Sequence, residues 1–239
     1  MKIGIVSTFS DSGYEEYAKN FVNSLNKFLD PKISVYLYVD NKKLFKRNEN
    51  IHCLLLEQTV PDLTAFKTRN KDKTYKKFIT DAVRFSHKSY AIWHAAIHSD
   101  ADILIWLDAD SELIQPVTEK YLQSFLPPGC FTSYLGRDKY SETGFIAFDL
   151  KNLYCHEFFQ IYKNYYDSDS IYTLSAFTDC HVFDSTRIQL ENAGKIKSHN
   201  LTPHLKKQHF NKTFQGFIIH LKGDDKAQRD RIFTKRGIK

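Results

Sequence analysis

The stretch that decides the fold is ILIWLDAD at residues 103–110, where five apolar residues lead directly into two carboxylates. A short apolar run without alternation is typical of a strand that is buried on both faces of a sheet. Asp108 and Asp110 are two positions apart, so on an extended chain their side chains point to the same side and can hold one hard divalent cation. The sequence therefore predicts a cation site at the carboxyl end of a central strand, where open α/β sheets place their ligands.

Two carboxylates separated by one residue are weak evidence when taken alone. The chain contains three such pairs: Asp100/Asp102, Asp108/Asp110 and Asp167/Asp169. Only the second pair follows a predicted buried strand. The alternative for it is an ordinary strand-ending turn, where Asp is common, and we favour the cation site because of its position.

The rest of the chain alternates predicted strands with predicted helices. Apolar runs predict strands at residues 3–6, 33–39, 51–56, 131–135, 144–148 and 217–221. Helical spacing predicts a helix that ends before Pro31, a long helix at 75–98, a helix at 116–125 with Pro116 in its first turn, and a helix around 158–162. This alternation predicts an α/β fold with a mostly parallel, mixed central sheet, and we expect a single domain over residues 1–239.

The composition is that of an ordinary globular protein. Hydrophobic residues make up 42% and charged residues 26% of 239 residues, which excludes a wholly disordered, collagen-like or coiled-coil chain. No apolar run approaches the ~18–20 residues that span a bilayer. The first apolar run ends at Ser7, too early for a signal peptide, so we expect a cytoplasmic protein without a transmembrane segment. The net charge of +6 permits binding to nucleic acid or acidic membranes but indicates neither.

A second group of chemically active residues, HLKGDDK at 220–226, follows the last predicted strand. His220 could complete a Mn²⁺ or Mg²⁺ site that two carboxylates begin, because neutral imidazole is a metal ligand. Gly223 permits a close backbone approach to a phosphate, and Lys226 could neutralise the charge of a leaving diphosphate. Alone, the segment is a strand-ending histidine and a charged turn; together with the aspartate pair it predicts a metal centre.

Taken in order, these motifs resemble those of metal-dependent glycosyltransferases of the GT-A fold, which has a Rossmann-like nucleotide-binding half. W-L-D-A-D followed far downstream by H-x-x-G-x-x-K resembles the retaining family that includes glycogenin and lipopolysaccharide galactosyltransferases. The series R-F-x-x-K, W-L-D-A-D, E-x-G-F, D-x-x-V-F-D and H-L-K-G is more similar still to small glycosyltransferase-like proteins of bacteria and phages. The resemblance extends over residues 75–226.

The resemblance implies transfer of a sugar from a nucleotide-sugar donor, a UDP-sugar, with retention, to a glycan, lipid-linked or other acceptor. It implies that Asp108, Asp110 and His220 are the ligands of Mn²⁺ or Mg²⁺, and that Gly223 and Lys226 contact the donor diphosphate. The basic tail at 222–239 is expected to close over the donor as a lid.

Three further residues are expected to contact the donor. Arg84 and Lys88 are four positions apart and share a helix face, so the resemblance implies that one or both reach the donor. The alternative is a solvated helix face. Thr8 follows the first strand and is expected, from its location alone, to contact the nucleotide base or ribose.

Two acids are expected to face the transferred sugar or the acceptor. Glu142 stands where the family often has Asn before Ala-Gly, and Asp179 matches the first acid of the family's D-Q-D segment. Cys180 and His181 replace the Gln and the second Asp of that segment. The alternative for both acids is a loop position or a helix cap.

Two other classes of protein remain open. A D-x-D metal-dependent phosphatase also places an Asp after a strand, but there the motif usually lies near the chain start. A non-catalytic sugar- or nucleic-acid-binding module could use the 14 Tyr and 19 Phe as stacking faces. Most of these aromatic residues should instead fill the core, so nucleic acid is not a favoured partner. The sequence does not indicate an oligomeric state.

Overall fold

The computed structural model describes residues 1–40, 47–73, 77–203, 210–214, 216–235 and 237–238. The strands, in chain order, are β1 (Ile3–Phe9), β2 (Ser34–Val39), β3 (Ile51–Leu55), β4 (Ile103–Leu107), β5 (Ser111–Leu113), β6 (Thr132–Leu135), β7 (Glu142–Asp149), β8 (Ser198–Asn200) and β9 (Ile218–His220). The helices are α1 (Asp11–Gly13), α2 (Lys19–Phe28), α3 (Leu56–Thr59), α4 (Pro61–Arg69), α5 (Ala82–His98), α6 (Glu119–Gln123), α7 (Cys155–Asp167), α8 (Asp179–Asn192), α9 (Phe210–Thr213) and α10 (Arg229–Lys235). A π-helical turn, Tyr14–Ala18, joins α1 to α2.

Within the described residues, seven strands form one sheet in the order β3-β2-β1-β4-β7-β6-β8. The four strands from β3 to β4 are parallel to one another, and β6 is parallel to β8. Only β7 is antiparallel to its neighbours β4 and β6. The prediction of an α/β fold with a mostly parallel, mixed central sheet is confirmed.

Helices cover both faces of this sheet because successive strand residues point to opposite faces. In β1, Ile3 and Ile5 pack in one apolar cluster with Phe21 of α2. Val6 points the other way and packs in a second cluster with Tyr90 of α5 and with residues of α7 and α8. The continuous apolar strands of the sequence thus reflect a sheet that is buried on both sides.

Helix α5 begins later than its sequence predicts. The prediction started at Tyr75, which lies outside the described residues, whereas the helix runs over Ala82–His98. Asp81 sets this start, because its side chain accepts a hydrogen bond from the backbone N–H of Arg84 at 3.0 Å. The preceding turn, Phe78–Thr80, is a 3₁₀ helix.

The predicted helix at 116–125 is also wrong at its start. Thr118 is the N-cap of α6, and its hydroxyl accepts a hydrogen bond from Tyr121 N–H at 3.2 Å. Pro116 lies before this cap, and Val117 instead bridges to Leu29. None of the helices in the described part of the chain is long and apolar enough to cross a membrane.

Candidate metal centre

Distant segments of the chain meet at the carboxyl end of β4. Because β7 is antiparallel to β4, it begins at this edge, and the N–H of Asp108 donates to the carbonyl of Gly144 at 2.9 Å. A separate two-stranded sheet, β5 with β9, pairs Ser111 with His220. Backbone pairing thus brings His220 to Asp108 and Asp110, the three residues predicted to share one site.

Asp110 lies between an imidazole and an ammonium group. Its Oδ1 is 2.7 Å from Nε2 of His220, and its Oδ2 is 3.2 Å from Nζ of Lys226. Burial would raise the pKa of the Asp110 carboxyl, but His220 and Lys226 outweigh burial and lower this pKa to about 2. Asp110 is therefore an ionised carboxylate at neutral pH, the form that binds a cation.

The His220 ring is buried, and only one of its nitrogens has a close polar partner. Its side chain is 1% exposed; Nε2 lies 2.7 Å from Oδ1 of Asp110, whereas Nδ1 has no hydrogen-bond partner among the described residues. The backbone is fixed by Asn211, whose Oδ1 accepts from the His220 N–H at 2.6 Å and whose Nδ2 donates to its carbonyl at 3.1 Å. An unpaired buried polar group is costly. Nε2 lies 3.8 Å from Oδ2 of Asp108 as well as close to Asp110, so this nitrogen faces both aspartates, as a shared cation would require.

A methyl group at position 144 is expected to displace the His220 ring. The Cβ of Gly144→Ala would lie 2.8 Å from Cε1 and 3.0 Å from Nδ1 of that ring, and 3.0 Å from Oε1 of Glu142. We expect the affinity for Mn²⁺ to fall by roughly 10–100-fold, as it does when the support of a metal ligand is lost. Isothermal titration calorimetry with Mn²⁺ measures this change.

Gly4→Ala is the matched control for this prediction. Its Cβ would lie 3.1 Å from the Cβ of Ala101, so it also crowds the core, but at the opposite end of the sheet. This variant should lose stability and keep its Mn²⁺ affinity. Equal Mn²⁺ affinities in the two variants would contradict the prediction.

Lys88 of α5 joins Asp108 to Asp179 of α8. Its Nζ lies 3.0 Å from Oδ1 of Asp108 and 2.8 Å from Oδ2 of Asp179, and it donates to the carbonyl of Thr143 at 2.6 Å. Burial would lower the pKa of the Lys88 ammonium, but the two carboxylates outweigh burial and raise it. Lys88 is thus a buried, permanent positive charge rather than part of a solvated helix face.

Asp179 is bound to side chains rather than serving as the cap of α8. Thr178 occupies the N-cap position, and the hydroxyl of Thr143 donates to Oδ2 of Asp179 at 2.6 Å. Burial would raise the pKa of Asp179, but the ion pair with Lys88 and the hydrogen bond from Thr143 lower it. Asp179 is therefore a buried, ionised carboxylate.

Glu142, the first residue of β7, adds a third carboxylate beside His220. Its Oε1 accepts from Nζ of Lys222 at 2.6 Å and from the N–H of Gly144 at 3.1 Å. Nη1 of Arg137 lies 3.3 Å from Oε2. Burial would raise the pKa of Glu142, but Lys222 and Arg137 outweigh burial and lower it.

These side chains fit a divalent cation. Asp108, Glu142 and His220 each offer a ligand atom, and the three atoms lie within 4.8 Å of one another. Asp110 adds a carboxylate oxygen 2.7 Å from the His220 nitrogen. Carboxylate oxygens with one imidazole suit Mn²⁺ and Mg²⁺, and the buried His220 ring, which has a nitrogen without a hydrogen bond, is available to such an ion.

A cleft of about 530 Å³ opens in front of this centre. Its walls include nine of the ten residues singled out from the sequence, namely Arg84, Lys88, Asp108, Asp110, Glu142, Asp179, His220, Gly223 and Lys226. Arg84 is exposed at the rim, with its guanidinium 4.8 Å from the centre of the Phe78 ring. Thr8 does not line the cleft, and its hydroxyl donates to the carbonyl of Tyr38 at 2.8 Å.

The segment after β9 folds back against β5. Gly223 has a φ of +53°, in the left-handed region that glycine adopts without strain, and it begins a 3₁₀ turn, Gly223–Asp225. The guanidinium of Arg229, in α10, donates two hydrogen bonds to the buried carboxylate of Glu112. They run from Nε to Oε1 and from Nη2 to Oε2, and both are 2.6 Å long. The described part of the predicted lid therefore lies beside the candidate metal centre, and Arg229 attaches it to β5, the strand that follows Asp110.

Two positively charged side chains of the candidate site, those of Lys222 and Arg137, were not predicted from the sequence. Lys222 lies within the H-L-K-G motif, and its position next to Gly223 was an available signal. Arg137 comes from the segment between β6 and β7, where no pattern distinguishes it from an ordinary surface arginine. Both residues balance the charge of Glu142.

Comparison with known proteins finds similarity in structure rather than in sequence. No protein-family model and no curated protein sequence matches the chain. Among solved structures, the apo form of the WbbM bifunctional glycosyltransferase is 11% identical with a TM-score of 0.57, over 98% of this chain and 51% of that one. The apo form of the glycosyltransferase GlyE of Streptococcus pneumoniae TIGR4 is 11% identical with a TM-score of 0.48, over 83% and 45%. The chain thus spans about half the length of these proteins, and its likeness to WbbM shows that it has a fold found in a glycosyltransferase.

Proposed function

We propose that the chain is a metal-dependent glycosyltransferase that moves a sugar from a nucleotide-sugar donor, a UDP-sugar, to an acceptor with retention of configuration. The observation that carries this proposal is the convergence of Asp108, Asp110, His220 and Lys226 on one cleft. The similarity of the fold to that of WbbM supports it.

The proposed roles at the donor diphosphate follow from these positions. Mn²⁺ or Mg²⁺ held by the carboxylates and His220 would act as a Lewis acid on the leaving diphosphate. The Lys226 ammonium, 3.2 Å from Oδ2 of Asp110, is placed to neutralise the charge that grows on the diphosphate oxygens. Because Gly223 has no side chain, the backbone of the same turn can approach those oxygens closely.

Asp179 is the acid that we assign to the transferred sugar. It lines the cleft as an ionised carboxylate, and Lys88 holds it at a fixed distance from Asp108. A carboxylate there can stabilise an oxocarbenium-like centre or position the acceptor. Glu142, the second predicted acid, shares the cleft, but its carboxylate lies beside His220.

The acceptor side of the cleft is its apolar rim. Phe78 and Ile79 are 59% and 45% exposed and line the opening together with Arg84. An exposed aromatic ring next to a guanidinium suits the apolar face of a sugar ring and its hydroxyl groups. We therefore propose that a glycan or lipid-linked acceptor enters over this rim.

Replacing Asp179 by Asn is expected to reduce sugar transfer sharply and to leave nucleotide binding intact. The substitution keeps the shape of the side chain and removes the negative charge, so turnover should fall by about 100-fold or more. UDP binding with Mn²⁺, measured by calorimetry, should be unchanged. Asp184→Asn is the matched control, because Asp184 lies on the same helix but bonds to Ser141 and Arg187 outside the cleft. Turnover at the wild-type rate in Asp179→Asn would contradict a role for Asp179 in the reaction.

A donor assay separates this proposal from the other two classes of protein. UDP-glucose and UDP-galactose are incubated with the protein and Mn²⁺, with and without added acceptors, and released UDP is measured. A transferase releases UDP, slowly by hydrolysis and faster with an acceptor. A binding module releases none, and a phosphatase instead releases inorganic phosphate from phosphomonoesters.

A further inference from the structure

Glu142 is a buried carboxylate that the two motifs of the metal centre do not include. Its side chain is 3% exposed, and Oε2 has no hydrogen-bond partner among the described residues. The Nδ1 atom of the neighbouring His220 ring also has no hydrogen-bond partner among the described residues. A buried carboxylate oxygen and a buried ring nitrogen, each with a lone pair that no hydrogen bond uses, are groups that a divalent cation takes as ligands.

The spacing of these groups fits direct coordination. Oxygen ligands lie about 2.0–2.6 Å from Mg²⁺ or Ca²⁺, so two atoms that share one ion are at most roughly 5 Å apart. The ligand atoms of Asp108, Glu142 and His220 lie within 4.8 Å of one another. Gly144 makes this approach possible, since its missing Cβ would contact both Oε1 of Glu142 and Nδ1 of His220 at 3.0 Å.

The basic neighbours of Glu142 do not close this position to a cation. Lys222 contacts Oε1 at 2.6 Å, but its side chain is 36% exposed and sits on a flexible four-carbon stem. Its ammonium can therefore withdraw into the solvent when a metal ion arrives. Arg137 lies farther away, 3.3 Å from Oε2, and can remain as an outer neighbour.

We propose that Glu142 is a direct ligand of the divalent cation, and that the centre binds Mn²⁺ through Asp108, Glu142 and His220 before any nucleotide is present. Lys222 then balances the charge of Glu142 when the cation is absent. This inference rests on the metal centre of the proposed function and adds a ligand to it. It assigns Glu142 to the cation rather than to the transferred sugar.

The test is Mn²⁺ binding without nucleotide, followed by the electron paramagnetic resonance signal of free Mn²⁺. Wild-type protein is expected to bind one Mn²⁺, and Glu142→Gln to bind it at least about tenfold more weakly, because affinity rises with the number of carboxylate ligands. Glu142→Gln also leaves Lys222 unpaired near the cation, and that charge alone could weaken binding.

A charge-balanced comparison removes this ambiguity. Lys222→Met should bind Mn²⁺ at least as tightly as wild type, because a repelling ammonium is gone. The double variant Glu142→Gln/Lys222→Met has the same net charge as wild type at this pair. It is expected to bind at least about tenfold more weakly than Lys222→Met alone, since it lacks one ligand. Equal affinities of the double variant and Lys222→Met would overturn the proposal.

A second measurement counts ligands directly. The luminescence lifetime of bound Eu³⁺ in H₂O and D₂O reports the number of coordinated waters. Glu142→Gln should add about one water, because a solvent molecule replaces the lost carboxylate oxygen. An unchanged water count would overturn the proposal, and circular dichroism checks that each variant is folded.

Asp110→Asn separates the failure of this inference from the failure of the proposed function. If Asp110→Asn weakens Mn²⁺ binding and the loss of Glu142 does not, the metal centre stands without Glu142 as a ligand. If neither substitution weakens Mn²⁺ binding, the result contradicts the proposed metal centre and, with it, the proposed function. Wild-type protein that binds Mn²⁺ only with UDP present also overturns the proposal for Glu142.

Discussion

Replacing Asp110 by Asn is expected to abolish the rise in melting temperature that Mn²⁺ and UDP together give the protein. A ligand at 100 times its Kd stabilises a native protein by about 2.7 kcal/mol, which corresponds to a rise of roughly 5–10 °C for a chain of this size. Asp110 contacts both His220 and Lys226, so its charge supports the proposed metal centre and the proposed diphosphate contact at once. Differential scanning fluorimetry with Mn²⁺, UDP, both or neither measures the effect.

The chain supplies a matched control for this substitution. Asp102 belongs to another of the three D-x-D pairs, but it pairs with Lys151 and the backbone N–H of Lys2, at the other end of β4. Asp102→Asn should keep the full rise in melting temperature with Mn²⁺ and UDP. A rise of wild-type size in Asp110→Asn would show that the cation binds elsewhere.

Replacing Lys88 by Met is expected to cause the largest loss of stability. Lys88 is 11% exposed and lies between Asp108 and Asp179, the latter 7% exposed. Removing one partner of a buried ion pair leaves a buried charge without compensation, at a cost of about 3–5 kcal/mol. Urea denaturation followed by circular dichroism measures the free energy of unfolding. Lys151→Met, which removes an exposed ion pair with Asp102, should cost no more than about 1 kcal/mol.

The loss of stability in Lys88→Met should depend on pH with a defined sign. In the wild type the pKa of Asp179 is lowered, so this group stabilises the fold above its unfolded pKa, and that contribution is lost as the pH falls through the folded pKa. Without Lys88, burial is opposed only by weaker contacts and the pKa of Asp179 should rise. The folded variant then takes up a proton more readily than its unfolded chain, which stabilises it as the pH falls. The difference in the free energy of unfolding between wild type and Lys88→Met should therefore become smaller below about pH 5. A difference in this free energy that does not change with pH would contradict the prediction.

Much of the fold and of the site could be predicted because each signal was local. The apolar run at 103–107 is buried on both sides, so its composition alone indicated a central strand. The end of that strand gave the predicted position of Asp108 and Asp110, and the end of β9 gave that of His220. For the two aspartates, position at the end of a central strand was sufficient, since such sheets place their ligands beyond the carboxyl ends of the strands. His220 instead lies in the separate two-stranded sheet, and the pairing of β9 with β5 brings it to the same place.

The parts that sequence could not predict depend on contacts between distant segments. Asp81 stops α5 from extending toward residue 75, because its carboxylate accepts from the N–H of Arg84. The sequence around it remains apolar, with Ile79 before it and Val83 after it, so the apolar pattern does not mark this break. The position of Glu142 likewise depends on β7 being antiparallel to β4, and a three-residue strand such as β5 carries almost no periodic signal. The sequence therefore predicted that Glu142 faces the transferred sugar or the acceptor, because nothing in its own segment indicated that it lies beside His220.

The pairing of β5 with β9 determines when the candidate metal centre can assemble during synthesis. Ser111 leaves the ribosome nearly half the chain before its partner His220. Until β9 emerges, Asp108 and Asp110 lack their imidazole neighbour, and β5 exposes an unpaired edge. The nascent chain can thus pair the strands from β1 to β7 before the candidate metal centre is assembled, because that centre needs β9 to be paired with β5.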